Sequence, residues 1–228
     1  MEKKYKLTGE TINVMDRTLY RIEALKDFGD VKKGDKDGFI EKEENLSQYD
    51  DCWVYGHAKV YGDAEVFGNV KVCDNASVFG NATVHGNARI CSNAQVYDNA
   101  KVYGNAVVYD KAQIYGNVEV HNNAMVCGNA EVYDNAMVYD NAKVYGNARV
   151  YGNAEIVEDA KVESAADYIV FKNWWSSGRY FTWTRSNNMW KVGCFYGTGE
   201  QLIEKAYKDS VKSGEEYEKI VRYSETVN

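Results

Sequence analysis

Hydrophobic and polar positions recur with a period of six residues from Trp53 to Ala166. The second residue of each unit is Val or Ile and the sixth is Ala or Val, whereas the first and third are mostly charged, polar or aromatic. Successive side chains of a strand point to opposite sides, so this alternation places the aliphatic residues inside and the others outside. Each unit therefore predicts one short β-strand.

The fourth and fifth residues of the units are mostly Gly-Asn or Asp-Asn, which tolerate the left-handed backbone conformation of tight turns. Three units would close one coil of 18 residues, and coils stacked at about 4.8 Å would form a rod roughly 30 Å long. Its interior is filled by Val and Ala. Any function is expected on the outer faces, at the ends or between subunits.

Units such as the one containing Val60 and Ala64 resemble the hexapeptide-repeat family, in which an aliphatic residue precedes a small residue by four positions. The resemblance implies a left-handed parallel β-helix. We therefore predict a mainly β protein with an N-terminal β cap at 1–52, the β-helix at 53–166 and a small α+β domain at 167–228. This chain differs from the usual family pattern because tyrosine dominates the third position.

Third-position residues one coil apart are predicted to form three ladders along the rod. The first is unbroken and aromatic: Tyr61, Phe79, Tyr97, Tyr115, Tyr133 and Tyr151. The second contains Phe67, His85, Tyr103, His121 and Tyr139, and the third contains Tyr55, Cys73, Cys91, Tyr109, Cys127 and Tyr145. Two explanations of the first ladder remain open: packing between coils, and a binding surface for a subunit or partner.

Both flanks are expected to cap the rod, because unpaired strand edges invite association. The first flank has alternating segments at Tyr5–Val14 and Thr18–Leu25 and a charged, turn-rich run at Gly34–Ser47. This leader resembles those of hexapeptide-repeat proteins from bacteriophages and prophages, except that Asp37 stands where a second glycine is expected beside Gly38. The resemblance implies an origin in a mobile element.

The second flank predicts a β-hairpin around Ser186–Asn188, followed by two helices. Capping boxes are expected at Thr198 with Gln201 and at Ser213 with Glu216. The predicted apolar faces are Leu202, Ile203, Ala206 and Tyr207 on the first helix and Tyr217, Ile220 and Val221 on the second. Two roles are open for a further set of residues, a ligand pocket or packing of the cap: Trp174, Trp175, Arg179 and Arg185.

Charge and cysteine usage narrow the functional classes. The net charge of −7 disfavours direct binding of nucleic acid or of an anionic membrane. No stretch has the length and apolarity of a signal peptide or a membrane span, so we expect a cytoplasmic protein, in the host cytoplasm if it is phage-encoded. The five cysteines form no CxxC pair, so reduced thiols and no metal site are expected, although Cys73 and Cys91 lie one predicted coil apart.

Many hexapeptide-repeat proteins are acyltransferases that use a histidine as general base beside acyl-coenzyme A. The three histidines here are His57 in a predicted turn and His85 and His121 on the second ladder, about 10 Å apart and therefore unpaired. The rod has no inserted loop to form a cofactor cleft. We therefore predict a non-catalytic binding or scaffold protein without cofactor, with acyl-coenzyme A-dependent O- or N-acyl transfer through His85 or His121 as the alternative.

The predicted partners follow from the same resemblance. We expect a homo-oligomer, a trimer or a dimer, because subunit association is common in this fold family. A mobile-element origin suggests counter-defence, either by blocking a host protein or by sequestering a signalling nucleotide. The predicted binding residues are those of the first ladder together with Trp174, Trp175, Arg179 and Arg185.

Overall fold

The structure is a computed structural model that describes residues 2–226. It begins with a hairpin of strands β1 (Tyr5–Val14) and β2 (Arg17–Ala24), followed by strand β3 (Lys36–Ile40) and a 3₁₀ turn at Glu43–Asn45. Strand β3 pairs antiparallel with β2 and parallel with the first coil of the rod, where Phe39 lies opposite Lys59. The run predicted as turns thus contains the strand that joins the cap to the rod.

The rod consists of short parallel strands of two residues each. In chain order, strands β4 to β22 are Trp53–Val54, Lys59–Val60, Glu65–Val66, Lys71–Val72, Ser77–Val78, Thr83–Val84, Arg89–Ile90, Gln95–Val96, Lys101–Val102, Val107–Val108, Gln113–Ile114, Glu119–Val120, Met125–Val126, Glu131–Val132, Met137–Val138, Lys143–Val144, Arg149–Val150, Glu155–Ile156 and Lys161–Val162.

Each strand pairs with the equivalent strands of the coils before and after it, as in the register of Val60 opposite Val78. The strands form three sheets, which we name by their third-position residues. The tyrosine face contains β5, β8, β11, β14, β17 and β20, the histidine face contains β6, β9, β12, β15, β18 and β21, and the cysteine face contains β4, β7, β10, β13, β16, β19 and β22. Every third strand thus falls on the same face, which confirms the predicted circuit of three units and the parallel β-helix.

The interior is a continuous column of second- and sixth-position residues. From Ala76 to Ala154 these Val, Ile and Ala side chains are all 0% exposed. Aliphatic burial of this kind stabilises each coil only when its neighbours are present, because a single coil cannot cover both of its open edges. The core leaves the outer faces and the ends of the rod as the places for function.

The corners use the left-handed backbone conformation that the fourth position predicts. Asp74, Asp98, Asp134 and several glycines have positive φ, and Gly68 has φ of +78°. A Cβ atom at Gly68 would lie 2.8 Å from the carbonyl oxygen of Gly86 in the next coil, so a side chain is excluded there by contact as well as by backbone conformation. Asn side chains in the fifth position donate amide hydrogen bonds from coil to coil, as Asn87 does to Asn105 at 3.0 Å.

Side chains of the N-terminal cap form hydrogen bonds with polar groups of the first coil. Asp37 accepts hydrogen bonds from Trp53 Nε1 and from the backbone N–H of Gly56, both at 3.0 Å. Asn45 Nδ2 donates to the carbonyl oxygens of Gly62 and Ala64 at 3.0 and 2.9 Å. The departure from glycine at residue 37 therefore supplies a carboxylate that holds the entry to the rod.

The C-terminal segment is a four-stranded antiparallel sheet covered by two helices. After a 3₁₀ turn at Ala165–Asp167, its elements are β23 (Tyr168–Lys172), β24 (Tyr180–Thr184), β25 (Met189–Val192), β26 (Phe195–Gly197), α1 (Gly199–Asp209) and α2 (Val211–Thr226). The predicted hairpin is β24 and β25. Phe181, Trp183 and Trp190 are buried against the helices in a core separate from that of the rod.

The opposite side of this sheet meets the last coil of the rod. Thr182 Oγ1 accepts a hydrogen bond from the backbone N–H of Glu155 at 3.0 Å, and Ser186 Oγ accepts one from the backbone N–H of Lys161 at 2.7 Å. The sheet therefore acts as a cap that satisfies open N–H groups through hydroxyls, without joining the rod's sheets.

One helix cap differs from the prediction. Thr198 and Gln201 form the predicted capping box of α1. The second helix begins at Val211, and Ser210 Oγ accepts a hydrogen bond from the backbone N–H of Ser213, so Ser213 lies inside the helix and Ser210 is the cap. Tyr207 is also misassigned to the apolar face, because it is 41% exposed and its hydroxyl donates to Glu218.

Within residues 2–226, neither helix combines the length and apolarity needed to cross a bilayer.

Candidate functional site on the outer faces of the rod

The tyrosine ladder, residues Tyr61, Phe79, Tyr97, Tyr115, Tyr133 and Tyr151, is a single stack of rings. Neighbouring ring centroids lie 4.8–5.3 Å apart, and the planes differ by 1–13°. The strands place equivalent Cβ atoms one strand spacing apart, about 4.8 Å, which is also a favourable distance for offset stacking. The stack follows directly from the repeat.

The rings of this stack present their edges to solvent, with greater exposure toward the C-terminal end. Tyr61 is 8% exposed and Tyr151 is 48% exposed. The first-position side chains in the middle of the same face are uncharged: Ser77, Gln95 and Gln113. Near the far end Arg149 lies 3.5 Å from Glu131, and their charges offset each other. The face is therefore a flat aromatic strip whose central first-position neighbours are neutral and polar.

The central phenols of the strip are neutral around pH 7. Burial against the neighbouring coils, aided by nearby Tyr115 and Asp98, raises the pKa of Tyr97 to about 12. Its hydroxyl donates a hydrogen bond to Gln113 at 3.3 Å. The strip thus offers neutral ring edges and hydroxyls, a combination typical of surfaces that bind partners by apolar contact with a few hydrogen bonds.

The histidine ladder, Phe67, His85, Tyr103, His121 and Tyr139, is also fully stacked, with centroids 4.7–5.0 Å apart. Tyr103 lies between the two imidazoles, so the histidines do not pair, as the sequence predicts. This face carries charged first-position residues, and Tyr103 donates a hydrogen bond to Glu119 at 3.0 Å.

The environment of His85 favours the neutral imidazole. Burial, aided by the positive charge of Lys101, lowers the pKa of His85. A neutral imidazole is required of a general base, but both of its ring faces are occupied by Phe67 and Tyr103. His57 lies in a turn of the first coil, where its backbone N–H donates to the backbone carbonyl oxygen of Asp74 at 2.8 Å.

The cysteine face differs from the sequence expectation of reduced thiols, because Cys73 and Cys91 form a disulfide. Their Cα atoms are 4.6 Å apart on neighbouring strands, a distance within the range for a disulfide, and both side chains point outward. Asp74 lies beside the pair and accepts a hydrogen bond from the backbone N–H of Ser92. With the sulfurs bonded to each other, this group offers no thiolate to a metal.

The structure does not bring the four C-terminal candidates into one pocket. Trp174 is 70% exposed, and Trp175 packs edge-on against Tyr217 with centroids 5.0 Å apart. Arg179 lines a cavity of about 200 Å³ beside Tyr217. Arg185 follows the opposite end of β24, so a strand of five residues separates the two arginines. Trp175 thus packs against the core of the C-terminal segment.

Sequence reasoning missed the cavities at the two ends of the tyrosine ladder. One of about 260 Å³ lies where the tip of the β1–β2 hairpin, with Met15 and Arg17, reaches Tyr61 and Phe79. The other, of about 460 Å³, lies between Tyr151 and the C-terminal sheet. The spacing of residues in the sequence does not predict these cavities, because each forms where a cap folds back on the rod.

Comparison with known proteins agrees with the architecture. The family described as YdcK beta solenoid repeat matches residues 94–110 and 142–155, both within the rod. No curated protein matches the chain. The stacked coils and this repeat match together identify the chain as a β-solenoid protein.

Proposed function

We propose that this protein is a non-catalytic binding scaffold that engages a partner protein through the tyrosine face. The observation that carries the proposal is the unbroken stack from Tyr61 to Tyr151, beside which the central first-position residues are uncharged. Contiguous aromatic surface of this kind is characteristic of interfaces, where charged residues are depleted at the centre. The packing of coils alone does not require the neutral first positions.

The charge pattern of the three faces supports this assignment. First-position residues on the histidine face include Glu65, Lys101 and Glu119, and those on the cysteine face include Lys71 and Arg89. Desolvating such charges opposes binding unless each finds a partner. The tyrosine face has the longest run of uncharged first-position residues, Ser77, Gln95 and Gln113, so it is the face we assign to the partner.

A pair of variants with equal added charge tests the assignment. Gln95→Arg with Gln113→Arg places two cations on the tyrosine face, and Thr83→Arg with Met137→Arg places two on the histidine face. Capture of a partner from bacterial lysate by the immobilised full chain should fall at least tenfold for the first pair and stay near wild type for the second. Equal capture by both pairs would contradict the proposal.

Self-association is part of the same proposal, because a second copy can supply the partner surface. Sedimentation equilibrium should show a dimer or trimer for the wild-type chain, and the tyrosine-face pair should shift it toward the monomer. A wild-type chain that is monomeric at all concentrations leaves only a different protein as partner.

The more specific proposal, on the type of rod, the origin and the role of the protein, rests on the leader and the repeat. We propose that the rod is of the left-handed hexapeptide type and that the protein comes from a phage or related mobile element, acting in the host cytoplasm as a counter-defence factor. Blocking of a host protein fits a flat aromatic face better than sequestration of a nucleotide, which needs an enclosing pocket.

The alternative function is acyl transfer with His85 or His121 as base. The lowered pKa of His85 favours it, since a neutral imidazole can accept a proton. Acetyl-coenzyme A at millimolar concentration should leave the melting temperature unchanged if the scaffold proposal is correct. A rise that disappears in His85→Asn or His121→Asn would favour the enzyme.

A further inference from the structure

The tyrosine ladder ends in a ring whose outward side has no stacked neighbour. Every earlier ring of the ladder is followed by a parallel ring in the next coil. By the same spacing, the position after Tyr151 on this face is Ile169, but the chain leaves the rod after Val162 and does not continue the ladder. Tyr168 approaches Tyr151 edge-on instead, with planes at 80° and centroids 6.4 Å apart.

The hydrogen bonds of Tyr168 explain why it does not occupy the next rung. Its hydroxyl donates to the carbonyl oxygen of Arg149 at 3.0 Å and accepts from the backbone N–H of Tyr151 at 3.3 Å. The ring therefore lies over the end of strand β20 and is 7% exposed. It seals the core of the rod and leaves the ring of Tyr151 48% exposed beside it.

A cavity of about 460 Å³ lies between Tyr151, the last ring of the ladder, and the C-terminal sheet. It is lined by Tyr151, Gly152, Asn153, Ala165, Tyr168, Ile169, Val170 and Tyr180. This volume is in the range of small-ligand sites, and the lining is largely aromatic and aliphatic. Tyr180 is 39% exposed, and Lys172 Nζ lies 5.4 Å from its ring centroid.

The C-terminal rung of the histidine ladder is closed. On the histidine ladder, the ring of Tyr139 is met by Lys191 Nζ at 5.8 Å, and the next third-position residue, Val157, is 4% exposed. At the N-terminal end of the tyrosine ladder the terminal ring itself is buried, because Tyr61 packs with Leu19 and Phe39 beside the smaller cavity of about 260 Å³. The exposed ring of Tyr151 is therefore not a necessary consequence of the six-residue repeat.

We propose that this cavity binds one planar aromatic ring, inserted as an added rung on Tyr151. The inference rests on the proposed function for the source of the ring, a tyrosine or tryptophan side chain of the partner protein. A flat ring fits because it repeats the parallel arrangement that the ladder already uses, whereas an aliphatic group gains no stacking on the tyrosine. Such an aromatic anchor at the end of a flat face is a typical binding hot spot.

The test uses small probes and the full chain. N-acetyl-tryptophanamide should bind saturably in isothermal titration or ligand-observed NMR, and N-acetyl-leucinamide should bind at least tenfold more weakly. Tyr151→Ala should weaken binding of the tryptophan probe about tenfold, the usual scale for loss of one stacking partner. Equal binding of the two probes, or unchanged binding by the Tyr151 variant, would overturn the inference.

Two further variants separate occupancy of the cavity from damage to the fold. Ala165→Trp supplies a ring to the cavity from the chain itself and should abolish probe binding without lowering the melting temperature. Tyr223→Ala removes an exposed tyrosine of α2 and should leave binding unchanged. Probe binding that survives in Ala165→Trp would place the probe elsewhere and contradict the proposal.

Adenosine distinguishes the source of the ring. Adenosine binding at least tenfold tighter than the tryptophan probe would overturn the assignment to a protein side chain in favour of a nucleotide base. The capture experiment with Gln95 and Gln113 does not involve the cavity. If the probes do not bind but a partner is captured, this inference alone is rejected. If the probes bind but no partner is captured, only the proposed function is rejected.

Discussion

The two ends of the tyrosine ladder are closed in different ways. At the first end, strand β3 extends the same sheet and the β1–β2 hairpin lies over Tyr61, which is 8% exposed. At the second end, a separate sheet touches the last coil through the hydroxyls of Thr182 and Ser186, and Tyr151 is left 48% exposed. Extending the sheet buries the terminal ring beside the smaller cavity, whereas docking a second sheet leaves the ring of Tyr151 exposed beside the larger one.

The largest expected difference between the two ends is the stability lost when the terminal tyrosine of the ladder is replaced by alanine. Tyr61→Ala should lower the free energy of unfolding by about 3 kcal/mol, because it empties a buried ring site. Tyr151→Ala should lower it by about 1 kcal/mol, since only one face of the ring is packed. Urea unfolding followed by circular dichroism measures both. Equal losses would show that the second end is as closed as the first.

Glycines at the two ends give a second contrast. A Cβ at Gly38 would clash with Val54 Cγ1, whereas one at Gly152 would have no neighbour within 4 Å. Gly38→Ala should therefore cost about 2 kcal/mol from overpacking. Gly152→Ala should cost about 1 kcal/mol, because the positive φ alone opposes it. Melting temperatures in the reverse order would contradict this account of the junctions.

Polar capping contributes a smaller effect. Asp37→Ala removes the acceptor of two hydrogen bonds and should cost about 1.5 kcal/mol, with faster hydrogen exchange at Gly56. Thr182→Val removes the single acceptor of the Glu155 N–H and should cost about 1 kcal/mol. Protection of the first coil that persists in Asp37→Ala would show that β3 pairing alone holds the entry.

The smallest expected effect concerns the middle of the ladder, between the two ends. The pKa of Tyr97 is raised to about 12 in the folded chain, so the unfolded chain loses this proton first. Stability should be full below about pH 10 and fall as the pH rises toward about 12. Tyr97→Phe should reduce the fall in melting temperature over this interval. Identical pH profiles for variant and wild type would rule out this contribution.

The rod could be predicted almost completely from the sequence. The six-residue alternation determined the strands, the circuit and the identity of every stacked ladder, because each property depends only on residues at fixed spacing. The contacts of the two caps were harder to predict from the sequence. The hydrogen bonds of Asp37 to Trp53 and Gly56 join residues at no regular interval, and the Ser210 cap competes locally with Ser213 three residues later.

The candidate site was predicted only in part. The sequence identified the tyrosine ladder as a surface, but it also grouped Arg179 with Arg185, which the strand between them keeps apart. Its expectation of reduced thiols was wrong for Cys73 and Cys91, since spacing shows only proximity and the orientation of both side chains brings the sulfurs together.

The sequence by itself determined the β-solenoid and its ladders, because a short repeat forces equivalent residues of successive coils into contact. Tertiary structure alone decided where the ladder opens. That outcome depends on how the C-terminal sheet meets the rod, with Tyr168 turned onto Arg149 and Tyr180 placed across a cavity. These contacts join separate segments that share no periodicity, so no local pattern encodes them.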